Sequence, residues 1–279
     1  MKLNSHPIAV CSWSLQPKGM ADLVSKVQQL GLAHMQLALG KLVTLDGPKR
    51  DAELAHLQSS GIELTGGMMS FAGEDYASIE RIRQTGGFVP ASEWPLRKRL
   101  SIEGAKLAKQ LGVNTITSHV GFVPPPGDAR YQPIVSRIRE LAGAVADHGV
   151  DLLMETGQEP AAELLHFLHD LNCPNVHINF DPANMILYGA GDPIAAIKIL
   201  GPHIRHVHVK DGTPSNRPGV EWGAEVPFGT GDVGAKRFIS ALNEIKYTGP
   251  LAIEREAGND RMGDVKIAIE TLTQSTGGG

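Results

Sequence analysis

Residues 150–181, VDLLMETGQEPAAELLHFLHDLNCPNVHINFD, contain the pattern that decides the fold of this chain. The apolar runs VDLLM and VHINF at the two ends have the length of buried strands. Between them, Leu164, Leu168 and Leu171 recur at helical spacing. A strand, a helix and a second strand in this order predict two parallel strands that are joined by a crossover helix.

The same alternation continues in both directions along the chain. Eight short apolar runs begin, in order, at Ile8, His34, Ile62, Asn114, Val150, Val176, Ile204 and Pro250. Amphipathic stretches separate them, and eight parallel strands with intervening helices over roughly 250 residues are typical of a barrel. A doubly wound open sheet is the alternative, but no glycine-rich phosphate-binding turn follows any of these runs. The sequence therefore predicts an α/β fold, the (β/α)₈ TIM barrel.

The length of the chain, 279 residues, fits one barrel domain that spans residues 1–279. Two strand–helix units are longer than the others, which predicts extended loops at about 72–113 and 211–232. The first of them has room for two helical pieces. The glycine-rich terminus, residues 275–279, is expected to be flexible.

The composition excludes several classes of protein. A formal net charge of −4 and the absence of a basic face argue against nucleic-acid binding. No apolar run approaches the length of a membrane span. Cys11 and Cys173 are the only cysteines, too few for a disulfide framework, which predicts a reducing, cytoplasmic location.

Four consecutive predicted strands each end in a side chain that can bind a metal ion: Glu155, Asp181, His208 and Glu254. In a barrel the carboxyl ends of all strands surround one mouth, so these side chains should meet. Three carboxylates crowded at one mouth repel one another unless a cation binds between them. The pattern predicts one divalent ion, Mn²⁺ first, with Mg²⁺, Co²⁺ or Zn²⁺ as alternatives. Taken singly, each acidic residue has another interpretation, since Asp181 before Pro182 can simply cap a helix.

Five segments resemble a known family: METGQE (154–159), NFDPANM (179–185), HVHVKDG (206–212), PFGTGDV (227–233) and YTGPLAIERE (247–256). They resemble the xylose isomerase-like TIM-barrel superfamily, and within it the sugar phosphate isomerase/epimerase group that includes the D-tagatose and D-psicose 3-epimerases. The resemblance implies a metal ion bound by the same four side chains. It also implies that Glu155 and Glu254 are the catalytic pair, which moves a proton on opposite faces of the sugar. Members of this group often form homodimers or homotetramers.

Three positions depart from the family pattern. The epimerases carry a histidine three residues after the aspartate of strand six, where this chain has Asn184, an amide that can bind a sugar hydroxyl but cannot transfer a proton. A glutamate that is frequent on strand two is replaced here by Gln36. The family arginine beyond strand seven has no clear counterpart, and Lys210 and Arg217 are the nearby candidates for binding an anionic group.

Four further side chains are candidates for substrate binding. His119 can donate a hydrogen bond to a sugar oxygen or be a core histidine, and Trp13 can stack on a sugar or fill the barrel. Gln158 can bind substrate or orient Glu155. His206 lies one layer deeper, where a substrate-side or structural role is favoured over metal ligation.

These features predict a metal-dependent isomerase or epimerase of a small-molecule sugar, sugar phosphate or keto-sugar, working through an enediolate. A metal-dependent lyase, dehydratase or hydrolase on the same scaffold is the alternative, because removal of the same α-proton can end in elimination. Endonuclease activity belongs to this alternative, but the net acidity argues against it. A non-catalytic sugar-binding protein is a third class, against which an intact acid/base pair argues.

Overall fold

The computed structural model describes residues 2–3 and 6–276. Eight parallel strands follow one another in chain order and close into a barrel, because the first strand pairs with both the second and the last. The strands are β1 (His6–Cys11), β2 (His34–Ala38), β3 (Glu63–Met68), β4 (Thr115–Ser118), β5 (Asp151–Glu155), β6 (Val176–Phe180), β7 (Ile204–Val209) and β8 (Leu251–Ile253). The predicted (β/α)₈ TIM barrel is confirmed.

The helices surround the barrel and bury their apolar faces against the strands. They are α1 (Met20–Gln29), α2 (Gly47–Gln58), α3 (Ile79–Thr85), α4 (Trp94–Gln110), α5 (Tyr131–Ala146), α6 (Ala161–Leu171), α7 (Pro182–Tyr188), α8 (Pro193–Leu200), α9 (Ala235–Glu244) and α10 (Arg261–Thr276). The leucines that predicted a helix after β5 lie on the buried side of α6. In the described part of the chain, no helix has the length and apolar character needed to cross a membrane.

The two overlong units differ in structure. Residues 72–113 contain α3 and α4, so two helical pieces lie where the sequence left room for them. Residues 211–232 contain a short antiparallel hairpin between Asp211–Thr213 and Ala224–Val226. At the carboxyl terminus, α10 extends through residues 275 and 276, while residues 277–279, which complete the segment expected to be flexible, lie outside the described residues.

The interior of the barrel contains a layer of buried polar side chains. Buried polar side chains that point inward include Gln36, Thr117, Asn179 and His206, each at most 1% exposed. Burial of polar groups is costly unless they bond to one another or to a ligand. This layer therefore marks the end of the barrel at which a site is built.

Candidate metal centre

The four predicted metal ligands converge at the carboxyl end of the barrel. Glu155 is the last residue of β5, Asp181 and Glu254 directly follow β6 and β8, and His208 lies in β7. One ligand atom from each lies within 4.8 Å of the others, and all four residues are buried. Barrel closure thus brings together side chains from four successive strands, as the sequence predicted.

The chemistry of these atoms fits a divalent ion. Among the described residues, Glu155 Oε2, Asp181 Oδ2, His208 Nδ1 and Glu254 Oε2 are buried and have no hydrogen-bond partner. A buried acceptor without a donor costs roughly 1–3 kcal/mol, and more when it is charged. A cation bound between them would satisfy all four atoms at once. Three carboxylates with one imidazole form a ligand set that Mn²⁺ and Mg²⁺ accept.

His208 is the only nitrogen ligand of the four, and it faces all three carboxylates. Its Nδ1 lies 3.1 Å from Glu254 Oε2, 3.2 Å from Glu155 Oε1 and 3.7 Å from Asp181 Oδ2. Burial lowers the pKa of His208, but the surrounding acidic groups outweigh burial and raise this pKa well above its ordinary value. A proton held by the imidazole must therefore leave when a metal ion binds.

The other ring nitrogen of His208, Nε2, contacts the side chain of Gln36 on β2. His208 Nε2 lies 2.6 Å from Gln36 Oε1 and 3.0 Å from Asn179 Nδ2. When Nδ1 binds a metal ion the ring proton must be on Nε2, where Gln36 Oε1 can accept it. Gln36 Nε2 donates in turn to Thr117 Oγ1 at 3.3 Å. The glutamine that replaces the family's glutamate thus contacts a predicted ligand, a role that the sequence did not reveal.

Lys210 lies beside the ligands, directly beyond β7. It is 3% exposed, and its Nζ lies 2.7 Å from Glu256 Oε2, 3.1 Å from Glu254 Oε2 and 3.7 Å from Asp181 Oδ2. Burial lowers the pKa of Lys210, but the neighbouring carboxylates raise it well above its ordinary value, so the ammonium stays charged. The sequence named this lysine as a candidate for binding an anion, and its alternation with His208 on β7 is a signal that it points inward.

Two side chains orient the glutamates of the predicted catalytic pair. The Trp13 indole N–H donates to Glu254 Oε1 at 2.7 Å, and Asn184 Nδ2 donates to Glu155 Oε1 at 3.1 Å. In each glutamate the other oxygen, Oε2, is left without a hydrogen bond among the described residues. Contact of Trp13 and Asn184 with substrate stays a prediction, and the structure adds this orienting role.

The predicted substrate-binding residues of strands four and five lie close to the ligands. His119 Nε2 is 3.4 Å from Glu155 Oε2, while His119 Nδ1 and Gln158 Nε2 are buried with no hydrogen-bond partner in the described residues. The Trp222 indole N–H is likewise unpaired, and its ring packs edge-on against Tyr188 at 4.6 Å between centroids. Buried polar atoms without partners are costly, and a polar ligand at this site would satisfy them.

Two other predicted substrate-binding residues lie elsewhere. His206 is buried beneath the ligands, with Nδ1 2.7 Å from Asn179 Oδ1 and Nε2 3.1 Å from Thr65 Oγ1. Both ring nitrogens have protein partners, which fits the structural role that the sequence left open for His206. Arg217 lies on the exposed part of the 211–232 loop and pairs with Glu221 at 2.9 Å. A role for either residue in substrate binding stays a prediction.

Asp211 anchors the 211–232 loop, a role that the sequence did not reveal. Its carboxylate accepts four backbone N–H groups: those of Gly212 and Val233 at Oδ1, and those of Gly229 and Gly231 at Oδ2. The distances lie between 2.9 and 3.0 Å. One fully buried carboxylate therefore fixes both ends of the long loop that borders the mouth.

Comparison with known proteins agrees with this fold. The family described as xylose isomerase-like TIM barrel matches residues 24–275, and the chain belongs to this family. A xylose isomerase domain protein from Planctomyces limnophilus is 36% identical to the chain, with 97% of each chain covered and a TM-score of 0.89. No curated protein matches the sequence.

Two more distant structures share the fold. A xylose isomerase-like TIM barrel protein from Mycobacterium smegmatis, solved in complex with magnesium, is 16% identical over 99% of both chains, with a TM-score of 0.74. The 3-keto-D-glucoside 4-epimerase from E. coli is 14% identical, with 96% of this chain and 99% of the other covered and a TM-score of 0.72. At these identities the likeness concerns the fold alone.

Proposed function

We propose that this protein is a metal-dependent isomerase or epimerase of a sugar or keto-sugar. The observation that carries the proposal is the cluster of Glu155, Asp181, His208 and Glu254, each of which has a buried ligand atom without a hydrogen bond in the described residues. Relatives in the same fold include a sugar epimerase and a protein that binds magnesium, which supports both parts of the proposal.

The four ligands would hold one divalent ion, with Mn²⁺ the first expectation. When bound, such an ion supplies positive charge that polarises a carbonyl and lowers the energy of an enediolate. The ligand set itself excludes a closed structural site of thiolates, because three of its members are carboxylates. A catalytic role suits a centre at a barrel mouth, where substrate can approach.

Glu155 and Glu254 are the proposed acid/base pair. One carboxylate removes a proton from the carbon next to the carbonyl. In an epimerase the opposite carboxylate returns a proton to the other face of that carbon, and in an isomerase a carboxylate of the pair returns it to the neighbouring carbon. Trp13 and Asn184 each occupy one oxygen of these glutamates, which fixes the direction of the second oxygen. A positioned acid or base of this kind contributes about 10²–10⁴-fold to the rate.

The buried polar atoms without hydrogen-bond partners at the mouth are proposed to bind the hydroxyl groups of the substrate. His119 Nδ1, Gln158 Nε2 and the Trp222 indole N–H are buried and, in the described residues, have no hydrogen-bond partner. Sugar hydroxyls accept hydrogen bonds as well as donate them, so they would satisfy these groups. The cost of leaving such atoms unpaired makes the site favour an oxygen-rich ligand.

Deuterium exchange tests the proposed function. The Mn²⁺-loaded protein is incubated in D₂O with D-tagatose, D-psicose, D-fructose, L-ribulose and a 3-keto-glucoside, and each sugar is followed by NMR and mass spectrometry. We expect deuterium at the carbon next to the carbonyl of at least one sugar, together with its isomer or epimer. Loss of water, or bond cleavage without exchange, would instead indicate the lyase or hydrolase alternative.

The variant Glu254→Gln tests the acid/base role. The amide keeps an oxygen that can bind the ion but cannot accept the proton, so we expect exchange to fall by about 10²–10⁴-fold. Glu244→Gln is a suitable control, because Glu244 is an exposed glutamate on α9 that pairs only with Lys198 among the described residues. Full exchange in the Glu254→Gln variant would rule out this role.

A further inference from the structure

We infer that Lys210 is a catalytic residue of this site, whose ammonium binds the substrate oxygen that becomes negative during the reaction. The inference rests on the proposed function and adds a second source of positive charge to it. It stands on the position of Lys210 on β7 and on the carboxylates that surround its Nζ atom.

The strand places Lys210 one layer above the predicted metal ligand. Inward-facing residues alternate along β7 and its continuation, so His206, His208 and Lys210 point to the same side. His206 forms the layer beneath the ligands, and His208 lies level with them. A substrate that approaches the centre from the mouth therefore passes the level of Lys210 before it reaches the predicted metal ligands.

The ammonium is held in place by groups that leave one side of it turned toward the ligands. Lys210 Nζ donates to Glu256 Oε2 at 2.7 Å and to Asn184 Oδ1 at 3.4 Å. Its third neighbour is Glu254 Oε2 at 3.1 Å, an ion-pair contact with an oxygen of a predicted metal ligand. An ammonium has three N–H donors, and the one on the side of Glu254 is the donor that a substrate oxygen bound at the centre would share.

The side chains around Lys210 fix its ammonium in position, which is what stabilisation of a negative oxygen requires. Charge on an enediolate oxygen is stabilised most by donors that are fixed before the reaction starts, in a site that excludes water. Glu256 and Asn184 fix Lys210 in this way, and Glu225 lies 3.9 Å away on its other side. The ammonium stays protonated throughout: it donates a hydrogen bond to the oxygen, and no bond to hydrogen is broken.

The position of Lys210 should also affect the affinity of the centre for a metal ion, whether or not a substrate is present. Lys210 lies 3.1 and 3.7 Å from oxygens of Glu254 and Asp181, which are predicted metal ligands. Two positive groups that share these carboxylates repel each other, so the lysine should weaken metal binding. Its removal should tighten the binding of a dication by about three- to thirty-fold, whereas a purely structural lysine far from the centre would change nothing.

The experiment compares wild type with Lys210→Met, Lys210→Arg and the matched control Lys198→Met. Lys198 is an exposed lysine on α8 with one carboxylate partner, Glu244, at 2.9 Å. Mn²⁺ affinity is measured by calorimetry on metal-free protein. Deuterium exchange is then measured with the sugar that wild type exchanges fastest, and circular dichroism checks that each variant is folded.

We expect Lys210→Met to bind Mn²⁺ more tightly and to lose about 10²–10³-fold in kcat for exchange, with a smaller change in KM. Lys210→Arg keeps the charge, so its Mn²⁺ affinity should stay near that of wild type. Lys198→Met should match wild type in both measurements. For Lys210→Ala we expect partial, saturable rescue of exchange by added ethylammonium, which a structural role would not produce.

The outcomes separate the two proposals. If wild type exchanges no sugar, the proposed function fails, and the role of Lys210 in it fails as well. If wild type exchanges a sugar and Lys210→Met keeps more than a third of that rate, only the role of Lys210 is overturned. Unchanged or weaker Mn²⁺ binding in a folded Lys210→Met variant also overturns it, because the lysine then does not share the carboxylates of the centre.

Discussion

Gln36 illustrates how a single residue can control the centre without binding a metal ion. It is fully buried on β2, and its Oε1 lies 2.6 Å from His208 Nε2. An acceptor at this place keeps the proton on Nε2 and the lone pair on Nδ1, the atom that faces the carboxylates. Groups behind a metal ligand commonly change metal affinity by 10–100-fold when they are replaced.

The variant Gln36→Leu tests this role. We expect its Mn²⁺ affinity to fall by about 10–100-fold, because the N–H at His208 Nε2 loses its acceptor and the ring is no longer oriented. Calorimetry on metal-free protein measures the change. Gln28→Leu, an exposed glutamine on α1, serves as the control and should bind Mn²⁺ as wild type does. Equal affinities in Gln36→Leu and wild type would contradict the prediction.

At the scale of elements, the loops after the strands are held by carboxylates that accept backbone N–H groups. Asp211 accepts four backbone N–H groups and thereby closes the 211–232 loop. Glu159, in the loop after β5, accepts the Val123 N–H at 3.0 Å and joins that loop to the one after β4. Both contacts border the mouth, so the shape of the site depends on them.

Asp211→Asn should loosen the long loop. An amide has one acceptor oxygen, so two of the four backbone N–H groups would face an NH₂ group, and we expect a loss of about 2–4 kcal/mol in the free energy of unfolding. Hydrogen exchange should become faster at Gly229, Gly231 and Val233. Asp232→Asn, at an exposed position in the same loop, is the control. Unaltered exchange at the three amides would show that the carboxylate does not hold the loop.

Glu159 predicts a pH dependence of stability. Burial raises the pKa of Glu159 to about 7, well above its value in the unfolded chain, so the folded protein favours the protonated carboxyl. The resulting stabilisation is present below about pH 4.5 and is lost as the pH rises through about 7. Glu159→Gln keeps an acceptor for Val123 and has no charge to bury.

We therefore expect Glu159→Gln to be more stable than wild type by about 1–3 kcal/mol at pH 8.5 and nearly equal to it at pH 5. Urea unfolding at the two pH values measures this difference. Glu270→Gln, at an exposed position on α10, should differ from wild type by the same small amount at both. A Glu159→Gln difference that does not change with pH would exclude the proposed titration.

At the scale of the whole molecule, metal binding should be coupled to folding. The four ligands come from four strands, and the unfolded chain does not hold them together. A ligand that binds only the folded state stabilises it by mass action, by about 2.7 kcal/mol at 100 times its Kd. The centre is thus expected to contribute to the stability of the barrel as well as to its chemistry.

Thermal unfolding tests this coupling. We expect saturating Mn²⁺ to raise the Tm by about 5–10 °C, and less at low pH, where the ligands hold protons. Asp181→Asn should lose most of this increase. Asp192→Asn is a closely matched control, because Asp181 and Asp192 each cap a helix, α7 and α8, but only Asp181 faces the centre. An equal increase in both variants would place the metal elsewhere.

Much of this architecture can be predicted from the sequence. The alternation of apolar runs and amphipathic stretches predicts the barrel, because the periods of strands and helices are local properties of the chain. The four metal-ligand candidates were also predictable, since Glu155, Asp181, His208 and Glu254 interrupt or end apolar strands where a charge is otherwise unexpected. The structure brings these four together.

The contacts that orient the centre were decided by the tertiary structure. Trp13 donates to Glu254 across 241 positions of sequence, and Gln36 meets His208 across 172. Neither pair has a local signature, because their meeting depends on closure of the barrel and on the relative shift of its strands. Local pattern thus determines which residues face the mouth, whereas packing determines which of them touch, and hence which oxygen or nitrogen remains free to bind.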